Sequence, residues 1–249
     1  MRLRSKRVAG GAPSSEAPVQ FDTGDTGGCL EARSATRHPG PGTIVDRADV
    51  GQKFRLLYTG TLWNLTTIEP LVDAVLRLNA TSPELVSKLE LVCVGRKTAE
   101  QTAMIGRLKE TGCRLELIDY CAHSKVLDWL RSTDAVCLLL SDVPGAERVV
   151  PAKLFEYLAN RKDLLAIAPC GETADIVQRF FPRGCFEPKN VDGIVSWLQS
   201  RLSDEARTNN QPAGTADIEE FSRTTQTRRL VELLNDLIEV RHQNGRIGT

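Results

Sequence analysis

From residue 54 onward, the chain alternates short apolar runs with stretches that carry apolar residues at helical spacing. Short apolar runs bounded by glycine or polar turns are typical of buried strands. Regular alternation of strand and helix patterns favours a parallel sheet with helices on both faces. Six strands are predicted in this way, at 54–60, 89–95, 115–120, 135–140, 163–169 and 184–187.

The intervening segments predict helices at 68–78, 99–110, 124–131, from about 151, 172–180 and 191–202. The predicted fold class is α/β: a doubly wound, mostly parallel, six-stranded Rossmann-like sheet, with its domain at 54–203. Ligands of such sheets bind beyond the carboxyl ends of the strands. The turns that follow the strands are therefore the first places to look for a site.

Two further segments flank this domain. Residues 1–50 are rich in Gly, Pro, Ser and charge and show neither strand nor helix periodicity, so they are predicted to be disordered. An amphipathic helix is predicted at 217–243, after a polar connector. Its apolar stripe either packs back onto the domain or contacts a partner domain. The stripe consists of Phe221, Leu230, Leu233, Leu234, Leu237 and Ile238.

Charge and composition exclude several classes of protein. Lys plus Arg and Asp plus Glu number 32 each, so the charge does not indicate nucleic acid or an anionic membrane as the main partner. No apolar run approaches the ~20 residues that span a bilayer, and a cytoplasmic chain is expected, with peripheral membrane docking left open. The seven cysteines form no CxxC pair and the histidines number three, which predicts a reducing compartment and no metal site.

The sequence PAKLFEYLA occupies 151–159, after the fourth strand and its loop. Pro151 suits the first turn of a helix, and the backbone amides from there to Leu154, together with Lys153, favour an anion. Glu156 lies one turn further on nearly the same face, where a carboxylate can accept two hydroxyls of a ribose. The spacing predicts a site for a diphosphate and a ribose. The alternative is a surface salt bridge between Lys153 and Glu156.

Other strand ends carry weaker signals. Gly60 and Thr61 follow the first strand, where glycine admits a ligand to the backbone and threonine offers a hydroxyl; the alternative is a simple strand-helix turn. Arg96 and Lys97 follow the second strand, and solvated cations are the alternative there. His123 is a candidate to contact a base or ribose, or an ordinary residue of a helix start. Because GxGxxG is absent, an NAD-binding domain is disfavoured.

Arrangements for hydrolysis are not found in the sequence. The sequence offers no recognisable Ser-His-Asp or Cys-His catalytic arrangement. Glu147 is predicted on a loop and Glu156 on a helix, and two such carboxylates at an unspecified distance do not define the catalytic pair of a glycosidase. The predicted chemistry is the binding and orientation of a ligand. Catalytic residues are not assigned.

Four segments occur in an order that resembles the C-terminal half of group 1 glycosyltransferases of the GT-B architecture. They are YTGTL at 58–62, LVCVG at 91–95, PAKLFEYLA at 151–159 and LAIAPCG at 165–171. The resemblance covers about residues 54–240, and PAKLFEYLA is its most specific part. It implies a single GT-B half-domain that binds a nucleotide-diphosphate sugar as co-substrate. It also implies a metal-independent enzyme without other cofactors, of a family that usually retains anomeric configuration.

The family's site residues can be transferred only where this sequence matches. Glu156 matches the second glutamate of the family's E-x7-E motif, which holds the donor ribose, whereas the first glutamate falls at Arg148 and Glu147 stands one position earlier as its expected substitute. A basic pair that holds the diphosphate belongs at 63–67, where this sequence has no Arg or Lys. The remaining candidates for phosphate contact are Lys153, the amide of Leu154 and Arg96.

An enzyme of this architecture also has an N-terminal Rossmann-like domain that binds the acceptor. Residues 1–50 are too few and too polar to form one. Because catalysis needs both walls of the cleft, this chain alone is not expected to be a competent transferase. The leading hypothesis is a donor-binding domain, either truncated or half of a split enzyme whose acceptor-binding domain is a separate chain. The alternatives are a non-catalytic interaction module and half of a nucleotide-sugar epimerase.

Overall fold

The computed structural model describes residues 53–203 and 218–245, with side chains described as far as residue 238. The segment 1–50, for which disorder is predicted, lies outside the described residues. Six strands form one sheet, and every pairing among the described strands is parallel. The predicted α/β doubly wound fold is thereby confirmed. The strands are β1 (Phe54–Thr59), β2 (Leu89–Val94), β3 (Arg114–Ile118), β4 (Ala135–Leu139), β5 (Asp163–Ile167) and β6 (Cys185–Phe186).

Helices connect successive strands, as the alternation predicts. The only α-helix of the described residues that no prediction covers is α2, which is a single turn and too short to show an apolar period. The α-helices are α1 (Glu69–Thr81), α2 (Pro83–Val86), α3 (Ala99–Gly106), α4 (His123–Ser132), α5 (Lys153–Asn160), α6 (Glu172–Phe180), α7 (Val191–Leu202) and α8 (Arg223–Gly245).

The strand order creates a crevice beside β1. The order across the sheet is β3-β2-β1-β4-β5-β6, so β1 pairs with β2 on one side and with β4 on the other. The chain therefore winds outward in both directions from the junction of β1 and β4. At such a junction the two following loops separate and leave room for a ligand. The loops that meet here precede α1 and α5.

Alternate residues of β1 enter the two faces of the core. Leu56 and Tyr58 pack with α1 and α7, whereas Leu57 packs with α4, α5 and α6. This alternation is the period of two that a strand imposes on its side chains. Helices on both faces bury β1, β2 and β4 almost completely, which explains why these strands appear as continuous apolar runs in the sequence.

The C-terminal segment packs on the domain only at its start. Ile218 and Phe221, in the 3-10 turn Ile218–Phe221, join the core on the face of α5 and α6. The apolar stripe of α8 is instead exposed; Leu233 and Leu237, for example, are 61% and 66% exposed. The alternative in which the whole stripe packs back onto the domain is therefore not what the structure shows. No helix within 53–203 or 218–245 combines the length and the apolar content needed to cross a membrane.

Candidate functional site

Two side chains of α5 hold the carboxyl end of β1. The Nζ of Lys153 donates to the carbonyl of Thr59 at 3.0 Å. The hydroxyl of Tyr157 lies 2.8 Å from Thr59 Oγ1 and accepts the Thr59 N–H at 3.1 Å. Burial raises the pKa of Tyr157, so this hydroxyl stays neutral. Because residues 153 and 157 are one helical turn apart, both reach the same point, and α5 is fixed against the end of β1.

Lys153 carries its charge in a partly buried place. Its Nζ lies 4.0 Å from the centre of the Tyr58 ring, and burial lowers its pKa to about 8. Within the described residues, no carboxylate lies within ion-pair distance of this nitrogen, so the alternative of a salt bridge between Lys153 and Glu156 is not formed. The bond to Thr59 uses one of the three donors of the ammonium group. The other two are available to an anion.

Glycine is required where the loops after β1 and β2 approach each other. Gly60 has a φ of +116°, and a Cβ there would lie 3.3 Å from Lys153 Nζ. Gly95 has a φ of +125°, and a Cβ there would lie 2.3 Å from the carbonyl oxygen of Gly60. Positive φ and the lack of space both disfavour any side chain. The ammonium group therefore faces bare backbone at Gly60, as the close approach of a phosphate requires.

The turn after β1 is held by bonds to its own carbonyls. The Thr61 carbonyl accepts from the Tyr58 hydroxyl at 2.8 Å and from the Thr66 hydroxyl at 2.6 Å. The Leu62 N–H donates to the carbonyl of Arg96 at 2.8 Å, which joins this turn to the one after β2. Gly60, Thr61 and Arg96 are thus brought to neighbouring turns on one edge of the sheet.

The two cations after β2 have different environments. Arg96 is exposed, with its guanidinium 5.9 Å from the centre of the Tyr120 ring. Lys97 folds back and donates to the carbonyls of Gly95 at 2.5 Å and Ile118 at 2.7 Å, and its side chain is only 7% exposed. Lys97 therefore stabilises the loops after β2 and β3, and Arg96 is the member of the pair that a ligand can reach.

Glu156 lies beside the N-terminus of α4. Its Oε1 is 3.8 Å from His123 Nε2, and the two side chains are 43% and 65% exposed. Leu154, between Lys153 and Glu156, has a fully buried side chain, and its N–H already donates to the Pro151 carbonyl at 2.9 Å. The amide contact expected at Leu154 thus has an acceptor within the helix start. Within this segment, Lys153 and Tyr157 reach the end of β1 at Thr59, whereas Glu156 lies beside the first residue of α4.

Glu147 lies in the 3-10 turn Ala146–Arg148 of the loop before α5. Its side chain is exposed and lies 3.6 Å from Arg148 Nε, while its backbone touches the loop after β5: a Cβ at Gly171 would be 2.2 Å from the Glu147 carbonyl oxygen. Thr173 Oγ1, on α6, donates to the Val149 carbonyl at 2.5 Å. The loop that carries Glu147 is therefore held in place from the side of α6.

Sequence reasoning missed Thr59 and Tyr157 as organisers of this site. The signal for Tyr157 was its spacing of four residues from Lys153, which puts both on one face of α5. Thr59 carried no such signal, because a threonine before a glycine turn is common in strands of any function. Within the described residues, no group of three or more His, Cys, Asp or Glu side chains is placed to hold a metal ion.

Comparison with known proteins supports the fold. No protein-family model matches the chain, and no significant match was found among curated proteins. Among solved structures, α,α-trehalose 6-phosphate synthase from Burkholderia multivorans superposes with a TM-score of 0.57 and 14% identity over 79% of this chain and 45% of that one. Anabaena Alr3699/HepE, solved in complex with UDP and glucose, superposes with a TM-score of 0.55 and 16% identity over 74% of this chain and 48% of that one.

The resemblance predicted from the sequence is confirmed in the fold. The chain has a glycosyltransferase-type fold, consistent with a single half of the GT-B architecture. It spans a little under half the length of each of these two proteins. At 14–16% identity, the likeness establishes the architecture, and the function of this chain has to be argued from its own residues.

Proposed function

We propose that this chain binds a nucleotide-diphosphate sugar at the junction of β1 and β4, as the donor-binding half of a glycosyltransferase. The observation that carries the proposal is the ammonium group of Lys153. It is partly buried, lies beside bare backbone at Gly60 and has no carboxylate partner among the described residues. Burial of a charge without a counter-ion costs free energy, and an anionic ligand at this place offsets that cost.

The diphosphate and the ribose of the donor each have a matching group. The diphosphate accepts hydrogen bonds from the two remaining N–H groups of Lys153. The exposed Arg96, on the neighbouring turn, is the second candidate to contact it. The ribose hydroxyls donate to Glu156, one helical turn beyond Lys153 and about half exposed. HepE, which shares the fold, was crystallised with UDP, and UDP has these same parts.

The chemistry available to this wall of the cleft is electrostatic. When a sugar leaves the donor, negative charge grows on the departing diphosphate, and a fixed cation stabilises that charge most where water is scarce. Lys153 is held for this role by Thr59 and Tyr58. The proposed transfer retains anomeric configuration and uses no metal, as the resemblance implies. The groups that bind the acceptor and act on the sugar belong to the opposite wall.

A test of the ribose contact uses Glu156→Gln, which keeps the shape of the side chain and removes its charge. We expect the variant to bind UDP about tenfold more weakly by isothermal titration calorimetry, because a charge-assisted hydrogen bond contributes ~1.5–3 kcal/mol. Binding of inorganic pyrophosphate should not change, since it has no ribose. Glu100→Gln, at an exposed position of the first turn of α3, is the matched control. The absence of UDP binding by the unaltered chain would reject the proposal.

A non-catalytic interaction module is the second candidate. It is favoured by the turn at 63–67, which carries no cation after β1, and by the engagement of Lys97 with backbone carbonyls. A module that has lost the donor site would bind neither UDP nor pyrophosphate. The titration therefore distinguishes the two functions.

The acceptor-binding half is proposed to be a separate domain that packs on the exposed stripe of α8. Leu230 to Ile238 present six apolar side chains that are 49–66% exposed, more contiguous apolar surface than a helix in water normally carries. The resemblance implies that a C-terminal helix contacts the first domain. An α/β half of similar size encoded next to this chain is the partner to test first.

Co-purification tests this contact. We expect Leu233→Lys with Leu237→Lys to abolish the complex, because two ammonium groups would be buried against an apolar surface. Glu232→Lys, at an exposed position opposite the centre of the stripe by helical spacing, should leave the complex intact. Retention of the complex by the double variant, or a dimer of this chain that competes with it, would contradict the assignment.

A further inference from the structure

The 3-10 turn Ile218–Phe221 covers the outer face of α5. The ring of Phe221 lies 5.2 Å from the ring of Phe155 on α5 and 6.1 Å from the ring of Phe180 on α6. Arg179 places its guanidinium 5.8 Å from the Phe221 ring and forms an ion pair with Glu220. This turn is therefore attached to α5 and α6 by contacts between tilted aromatic rings and by an ion pair.

The helix under this turn is short and bears both candidate ligand groups. α5 has eight residues. Its surroundings differ at Lys153, at Phe155 and at Glu156. Lys153 is tied to the Thr59 carbonyl at 3.0 Å. The carboxylate of Glu156, in contrast, has His123 as its ion-pair partner among the described residues, at the longer distance of 3.8 Å. The direction of Glu156 therefore depends on how α5 is held on both of its sides. Lys153 and Tyr157 attach the inner side to Thr59, and Phe155 contacts Phe221 on the outer side.

We infer that Phe221 is a positioning residue that orients Glu156 toward the ribose by pressing on Phe155. This inference rests on the proposed function, because it assigns a role within the same nucleotide site. Phe221 touches neither ligand group and acts through the position of α5. Aromatic pairs contribute ~0.5–1.5 kcal/mol beyond their buried area, so loss of the ring loosens α5 without removing the helix.

The two ligand groups respond differently when α5 loosens. Lys153 keeps its bond to Thr59 and its place over the Tyr58 ring, so contact with the diphosphate survives. Glu156 has no comparable anchor and loses its alignment with the ribose hydroxyls. The inference therefore predicts a loss that is selective for ligands with a ribose. A general loss of stability would not discriminate between ligands in this way.

The test is Phe221→Ala in the full chain, titrated with UDP and with inorganic pyrophosphate. We expect the dissociation constant for UDP to rise about fivefold, the equivalent of one aromatic contact, and that for pyrophosphate to stay unchanged. Phe221→Leu, which restores apolar contact with Phe155, should recover most of the UDP affinity. If Phe221→Ala does not fold, Phe155→Leu weakens the same contact from the α5 side and replaces it.

The matched control is Phe54→Ala. Phe54 pairs with Trp197 on the opposite face of the sheet, with ring centres 6.3 Å apart, so its loss costs comparable stability without touching α5. Three results would overturn the inference and leave the proposed function standing. They are equal UDP affinity in Phe221→Ala and the unaltered chain, an equal loss of affinity for UDP and pyrophosphate, and the same loss of UDP affinity in Phe54→Ala. If the unaltered chain binds neither ligand, the proposed function fails and the inference with it.

Discussion

Replacing Lys153 by methionine is expected to stabilise the fold near pH 7 while it removes most of the affinity for a nucleoside diphosphate. Methionine fills a similar volume and carries no charge to desolvate. The lysine is partly buried, and burial lowers its pKa to about 8. A lysine kept for structure alone would give the opposite result, because its loss would remove the bond to Thr59 and the contact with the Tyr58 ring.

The pH dependence follows from the direction of this shift. The unfolded chain keeps Lys153 protonated up to about pH 10.4, whereas the folded chain releases that proton near pH 8. Between these values the unfolded state binds more protons, so the free energy of unfolding rises with pH. Below pH 8 the folded chain bears the full cost of the buried charge. The methionine variant should therefore exceed the unaltered chain by about 1–3 kcal/mol at pH 7 and lose that advantage between pH 8 and pH 10.5.

Urea unfolding at several pH values and calorimetric titration with UDP measure the two effects. We expect UDP binding to weaken by about ten- to a hundredfold in the variant, since one charge-assisted contact to phosphate is lost. In the unaltered chain, UDP affinity should also fall as the pH rises through 8, where Lys153 loses its proton. Lys109→Met, at an exposed position after α3, is the control and should show neither effect. A destabilised methionine variant that still binds UDP would contradict the anion site.

Substitution of Gly95 by alanine is expected to be the most damaging single change near the site. The new Cβ would lie 2.3 Å from the Gly60 carbonyl oxygen, in a backbone conformation with φ +125° that side chains disfavour. Backbone cannot yield as a flexible side chain does, so the turns after β1 and β2 must separate. We expect a loss of about 3 kcal/mol or more in the free energy of unfolding, together with displacement of Gly60 from Lys153.

Gly106→Ala is the matched control for this prediction. Gly106 ends α3 with a helical φ of −55°, and a Cβ there would meet no atom within 4 Å. Alanine should stabilise the chain by ~0.5–1 kcal/mol, because glycine in a helix costs conformational entropy. Urea unfolding of both variants gives the comparison. Equal stability of Gly95→Ala and the unaltered chain would show that the two turns are not in the close contact described.

The fold was predictable because its signal is repeated along the chain. β2 and β4 are buried on both faces and appear as nearly continuous apolar runs, and α6 and α7 begin and end at their predicted bounds. The short α2 was missed because one helical turn shows no period. The exposure of the α8 stripe was left open because amphipathicity indicates that a face will be covered without indicating by what.

The candidate site was predictable in its residue types and less so in its contacts. Lys153 and Glu156 were singled out together, yet the alternative of a salt bridge between them could be set aside only when Lys153 was seen at Thr59 and Glu156 beside His123. Arg96 and Lys97 looked equivalent in the sequence, but Lys97 is folded onto two carbonyls. Such choices depend on where the ends of other strands lie, which is a property of the sheet.

The sequence by itself determined the alternating α/β pattern, the helix that follows β4 and the presence of a lysine and a carboxylate on it. These features arise from local periodicity and spacing, which short-range backbone geometry dictates. Only the tertiary structure decided that β1 lies next to β4, so that Thr59 contacts Lys153 and Tyr157, which follow it by nearly a hundred positions in the sequence. It also decided that Phe221 contacts Phe155 on α5, because contacts between distant segments depend on the order of strands in the sheet.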